Sequence, residues 1–135
     1  MTKTELKDLT YHVTGAAIEV HKALGPGLLE SVYHKCMEFE LKSRGISFES
    51  ELIVPIIFKG NHLNSQLRCD LFIEKCLVLE LKAVDKMVPV FEAQLLTYMR
   101  LLKAPKGILI NFSVKNLYNE GQKTYVNDIF RSLEE

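Results

Sequence analysis

The heptad Cys76-Leu-Val-Leu-Glu-Leu-Lys82 places one carboxylate and one ammonium two residues apart in an otherwise apolar run. A strand repeats every two residues, so Cys76, Val78, Glu80 and Lys82 should share one face and Leu77, Leu79 and Leu81 the other. Charges in such surroundings need a partner: each other, a metal or an ionic substrate. Upstream, Arg68-Cys-Asp70 adds an acid to the apolar stretch Leu67 to Ile73, which reads as the preceding strand. Asp70 lies opposite Glu80 in an antiparallel pair only if an odd number of residues connects the strands. A three-residue turn at Glu74-Lys75-Cys76, or an equivalent bulge, meets that condition, whereas a two-residue Glu74-Lys75 turn opposes Asp70 to Leu79. In the first register the facing Cβ atoms are about 5 Å apart, and both carboxylates can reach one hard cation. Lys82 then stands one step beyond Glu80, beside any water the cation binds. A purely structural ion pair is the competing reading.

Glu-Leu-Lys also occurs at Glu5 to Lys7 and Glu40 to Lys42. Both copies lie in polar helical sequence, where such pairs are solvated and contribute little. The elements that must position the third copy follow from periodicity. Leu6, Leu9, Val13, Ala16, Ala17, Val20 and Leu24 predict an amphipathic helix over about 5–24, ended by Gly25-Pro26-Gly27. Leu28 to about Lys42 repeats the period, with Gly45 fitting the left-handed position beyond its end. Phe48 to Phe58 alternates as a strand, and Pro55 suggests an edge or a bulge. Lys59-Gly60-Asn61-His62 is turn chemistry, followed by strands at about 64–73 and 77–83, so the three strands form a meander. Val90 to Lys103 is helical, with Pro105 just past its end, and Gly107 to Phe112 is a short strand buried on both faces. Lys115 to Gly121 reads as a loop, Gln122 to Val126 as a last strand and Asp128 to Leu133 as a turn of helix. The order α-α-β-β-β-α-β favours a mixed sheet covered by helices.

A chain of 135 residues, 47% hydrophobic and 25% charged, suits one globular domain. No apolar run approaches membrane-spanning length and the N-terminus has no hydrophobic segment of the signal type, so a cytoplasmic location is expected. Cys36, Cys69 and Cys76 are odd in number and unpaired in spacing, which predicts reduced core thiols rather than disulfides or a zinc site. His12, His21, His34 and His62 show no ligand spacing and read as surface or boundary residues. The formal net charge is zero, so a polyanionic partner must be held by local features.

Two helical groupings remain. In Gly27-Leu-Leu-Glu30-Ser-Val-Tyr33, Glu30 and Tyr33 are neighbours at i,i+3 with Gly27 one turn earlier, and Gln94 and Tyr98 are neighbours at i,i+4. Each alone could be an ordinary helix surface. Their joint order, Glu30, Asp70, Glu80-x-Lys82 and Gln94-x-x-x-Tyr98, resembles the PD-(D/E)xK nuclease superfamily. More narrowly, Gly27-x-x-Glu30-x-x-Tyr33 with Arg68-x-Asp70, Glu80-Leu-Lys82-Ala83 and Gly107-x-Leu-x-Asn-Phe112 looks like the small bacterial GxxExxY proteins. The similarity spans about residues 8–113. Cys69 stands where the superfamily name implies proline.

The resemblance implies a single three-layer α/β/α domain of the restriction-endonuclease type over residues 1–135, with a mixed sheet of four to five strands. It makes Asp70 and Glu80 ligands of Mg²⁺ or Mn²⁺, with the Leu81 carbonyl a third ligand and Glu30 a direct or water-mediated one. Lys82 would orient or deprotonate the attacking water, and Gln94 would position Lys82 or the phosphate. Tyr33, Tyr98 and Arg68 would contact the nucleic acid backbone, unless Arg68 pairs with Glu80 or Asp70. The implied activity is metal-dependent hydrolysis of DNA, with RNA left open. The alternative is a catalytically inactive module of the same fold that binds nucleic acid or a protein. The small gripping surface of such a chain points toward a homodimer or larger complex.

Overall fold

The computed structural model describes residues 1–135. Helix α1 (Lys3–Leu24) begins two residues before the apolar period does, because Thr2 and Glu5 form a capping box. The Glu5 N–H donates to Thr2 Oγ1 and the Thr2 N–H to Glu5 Oε1, each at 3.1 Å. Helix α2 (Glu30–Ser43) starts at Glu30 rather than Leu28. Gly27, with φ +100°, therefore belongs to the preceding turn and not to the Glu30 face of the helix. Gly45, φ +71°, takes the expected left-handed position after α2.

The alternation from Phe48 to Phe58 is two strands rather than one. Chain pairing breaks around Pro55, giving β1 (Phe48–Ile53) and β2 (Ile56–Phe58) in different sheets. The latter pairs only with β3 (Asn61–Leu63), through a Lys59-Gly60 turn whose residues both have positive φ. Such a turn matches the twist of a two-residue hairpin, and it leaves Asn61 and His62 in the strand. Then come β4 (Arg68–Ile73), β5 (Leu77–Lys82), α3 (Pro89–Leu101) and β6 (Lys106–Asn111). A π-helical turn (Leu117–Gly121) stands where a loop was expected, before β7 (Gln122–Val126) and α4 (Asp128–Arg131).

The main sheet has the order β1-β4-β5-β6-β7. Only β5 and β6 run parallel, joined by the α3 crossover. The expected meander survives as β1, β4 and β5, with the β2–β3 hairpin inserted between its first two strands. The result is α/β: a mixed five-stranded sheet flanked by helices, as a restriction-endonuclease-like fold requires. On one face Leu71, Leu79, Leu81 and Ile108 pack with Leu6, Val13, Met37 and Leu41 of α1 and α2. On the other, Val78 and Leu109 pack with Leu95, Tyr98 and Met99 of α3. Gly107 admits α3 closely, since a Cβ there would lie 2.7 Å from Met99 Sδ.

All three cysteines are free thiols. Cys76 packs with Leu77 and Leu79 rather than with Val78, because it belongs to the turn and not to the strand. His21 is buried, its Nε2 2.7 Å from the Val114 carbonyl oxygen, so it is a core residue and not a boundary one. No helix is long and apolar enough to cross a membrane.

Candidate active site

The connection between β4 and β5 decides the geometry. Glu74 and Lys75 both adopt positive φ, near +51° and +54°, and Cys76 is the extra third residue whose N–H donates to the Ile73 carbonyl at 3.0 Å. Ile73 therefore pairs with Leu77 and Leu71 with Leu79. The next rung sets Asp70 against Glu80, the register expected for a shared cation.

That rung does not continue the ladder in the ordinary way. The Asp70 N–H donates to Glu80 Oε2 at 2.7 Å, and the Leu81 N–H donates to Asp70 Oδ2 at 2.7 Å. Each carboxylate thus replaces a main-chain carbonyl as the acceptor of a strand N–H. The strands also change face here. Leu71 and Ile73 pack toward α1 and α2, whereas Cys69, two residues from Leu71, packs toward α3. In β1, Phe48 and Leu52 divide between the same two cores. Glu51, between the pairs Ser50–Leu71 and Leu52–Cys69, has φ +50°. Two neighbouring strands swivel together, and Asp70 sits at the swivel.

Glu80 is 3% exposed. Burial and the neighbouring Asp70 carboxylate raise its pKa to about 8, and burial also raises that of Asp70. No lysine or arginine lies within ion-pair distance of either acid. Lys82 is half-buried, with Nζ 4.6 Å from the centroid of the Phe91 ring on α3. Its charge still favours ionisation of Asp70, Glu80 and Glu30. The purely structural Glu80–Lys82 ion pair is therefore not formed. A buried and a half-buried carboxylate with raised proton affinity and no cationic side-chain partner fit a divalent cation, which would relieve their repulsion.

Glu30 opens α2 on the other side of this pair. It is solvent-exposed, and its pKa is raised by partial burial and by Asp70. The structure draws no three acidic, histidine or cysteine side chains together closely enough to hold a metal, so Glu30 does not complete a direct ligand set with Asp70 and Glu80. A groove of about 420 Å³ connects Glu30 with Asp70 but not with Glu80, lined also by His34, Lys35, Ser50 and Glu51 among others, with no apolar side chain.

The remaining expected residues divide. Tyr98 is buried near the acids, and burial and the charges of Glu80 and Asp70 raise its pKa, while Gln94, one turn earlier on α3, opposes that shift. Arg68 is exposed and forms no ion pair with Glu80 or Asp70. Tyr33 is fully enclosed and stacks on Phe112, with centroids 4.4 Å apart. Its hydroxyl donates to the Gly25 carbonyl at 2.6 Å and accepts the Leu28 N–H at 3.2 Å. The expected contact of Tyr33 with a nucleic acid backbone is corrected accordingly: this side chain ties the α1–α2 turn to the core and cannot reach a polyanion outside.

Three residues at the site are not among those expected there from the sequence, in which His34 reads as a surface or boundary residue. His34 is i,i+4 from Glu30, so the spacing that would have found it was present; its Nε2 lies 2.8 Å from Ser50 Oγ. Glu51 borders the groove through its strained backbone, for which no sequence signal exists. Phe91 underlies Lys82 from the helix that follows β5, nine residues on, where no periodicity relates the two. A larger cavity of about 700 Å³, between the start of α3 and the β6–β7 edge, contains none of the paired acids.

Neither the characterised proteins nor the solved structures compared with this chain give a match. Residues 7–124 do match the PD-(D/E)XK nuclease superfamily. With that span covering the paired acids, the lysine beyond them and the mixed sheet up to the middle of its last strand, the chain belongs to the PD-(D/E)XK nuclease superfamily.

Proposed function

We propose that this protein is a nuclease that hydrolyses DNA phosphodiester bonds with Mg²⁺ or Mn²⁺, and that within its superfamily it is a GxxExxY protein. The observation that carries the reading is the Asp70–Glu80 rung, a buried and a half-buried acid with no cationic side chain paired to either, and Lys82 at the next position on that face of β5. Asp70 and Glu80 would hold the ion, with the Leu81 carbonyl and Glu30, the latter through water, as further contributors. Such an ion supplies charge neutralisation at the phosphodiester and acidifies a bound water. The rest falls to the side chains. Lys82, held against Phe91 and so limited in its rotamers, orients the attacking water and stabilises negative charge developing on the phosphate. Gln94, on the helix that also carries Phe91, would position Lys82 or the phosphate.

The test is cleavage of labelled single- and double-stranded DNA with Mg²⁺ or Mn²⁺, comparing wild type with Asp70→Asn and Lys82→Ala. Cleavage that both substitutions abolish while the folded spectrum persists supports the reading. Metal-independent DNA binding without cleavage, unaltered in Asp70→Asn, identifies a non-catalytic module instead.

A further inference from the structure

Between Glu51 and Asp70 the chain contains no aspartate or glutamate, while Lys59, His62 and Arg68 all fall there. This stands out in a protein with equal numbers of acids and bases. The segment is also set apart structurally. It leaves the main sheet after Ile53, is fastened at its base by the Val54 N–H donating to the Leu67 carbonyl at 2.9 Å, and forms the isolated β2–β3 hairpin. Val54 at its base is buried in the α3 core, but three large apolar side chains of the hairpin are not folded inward. Ile57 and Phe58 are each 59% exposed and Leu63 is 49% exposed. Lys59 Nζ sits 5.5 Å from the Phe58 ring centroid at the tip.

The base of this finger adjoins the site. Ile53 pairs with Arg68, and Arg68 precedes Asp70 by two residues on β4. Two residues of strand span about 7 Å, roughly one nucleotide step from the acids.

Accepting the nuclease reading, we propose that the β2–β3 hairpin is the DNA-gripping finger of this protein. Lys59 and Arg68 take phosphates on either side, and the exposed face of Phe58, with Ile57 and Leu63, packs against bases. An acid-free basic element bearing exposed apolar and aromatic side chains suits a strand that is at once anionic and stackable. It also explains how a chain of zero net charge can hold a polyanion. A finger rooted at Arg68 would place the bound strand across the Asp70–Glu80 rung.

The experiment uses Lys82→Ala protein, whose expected cleavage is too slow to consume its ligand during a titration, and measures binding of fluorescent single- and double-stranded DNA over a salt series. Adding Phe58→Ser with Lys59→Glu should weaken binding at least tenfold and flatten the salt dependence. Lys59→Glu alone, a change at an exposed turn, should give part of the loss and serves if the double variant does not fold. Equal affinity with and without the hairpin changes overturns the finger while leaving the nuclease reading intact. If DNA binds equally but sedimentation shows that the changes dissociate a dimer, the hairpin joins copies of this chain, and the proposal fails. If the parent protein binds no DNA and wild type cleaves none, both readings fall together.

Discussion

Asp70 and Glu80 hold one another through the backbone: the Asp70 N–H donates to the Glu80 carboxylate, and the Asp70 carboxylate accepts from Leu81, the residue after Glu80. The two acids are therefore fixed before any ligand arrives, and their mutual repulsion is built into the folded chain.

Glu80 makes stability depend on pH in a defined direction. Its pKa rises from 4.5 to about 8 on folding, so between those values the folded chain binds a proton that the unfolded chain lacks. Stability present below pH 4.5 is lost as pH rises through 8. Metal-free protein should melt at a lower temperature at pH 8 than at pH 5.5. Glu80→Gln, which keeps an oxygen for the Asp70 N–H, should remove most of that slope and the stabilisation by Mg²⁺ or Mn²⁺ at pH 8. Thermal melts at several pH values, with and without metal, check both; a wild-type melt independent of pH contradicts the buried-acid assignment.

Lys82 forms no ion pair, so its removal should leave the fold nearly untouched. Lys82→Ala is expected to reduce cleavage by about 10²–10⁴-fold, the range of a positioned proton-transfer group. Phe91→Leu should lower kcat several-fold with KM little changed, because it loosens the lysine without touching substrate. Steady-state kinetics beside circular dichroism separate these outcomes.

Tyr33→Phe isolates a structural hydroxyl. The Phe112 stacking survives, but the Gly25 carbonyl loses its donor and the Leu28 N–H its acceptor, at a cost of about 1–3 kcal/mol. DNA affinity per folded molecule should not change. Chemical denaturation gives the first quantity and a binding titration the second.

Asn111 closes the chain just beyond the lysine. Its side chain accepts from the Val84 N–H at 3.1 Å and donates to the Val84 carbonyl at 3.0 Å, while the Phe112 N–H donates to the Lys82 carbonyl. Asn111→Ala should destabilise by about 2–3 kcal/mol and reduce kcat beyond what the lost folded fraction explains. Activity normalised to folded protein is the deciding measurement.

Much of this arrangement was legible from the residues. The Asp70–Glu80 rung needed only an odd connection, and Cys76 supplies it by serving as the third turn residue. The helices were legible wherever apolar spacing ran unbroken. Three readings failed for physical reasons. Alternation continues across Pro55, so the periodicity of Phe48 to Phe58 could not show that its two halves enter different sheets. The i,i+3 relation of Glu30 and Tyr33 describes neighbours on a helix but not which of them the fold encloses. Here Phe112, far along the chain, draws Tyr33 inward. His21 follows Ala17 by four on the buried stripe of α1, and that spacing outweighs the polarity that makes a histidine read as a surface or boundary residue. The swivel at Glu51 and Asp70 requires two strands to distort together, which no local pattern records.

That same positive-φ residue governs what the outer strand can do. β1 is an edge of the main sheet, with Glu49 and Glu51 exposed along it and a kink at Glu51. Like charges and a bend are poor templates for strand addition, because an incoming chain finds neither a straight row of hydrogen-bonding groups nor a neutral surface. That margin therefore disfavours extension of the sheet from one copy of this protein into another, on the side where the groove meets Asp70.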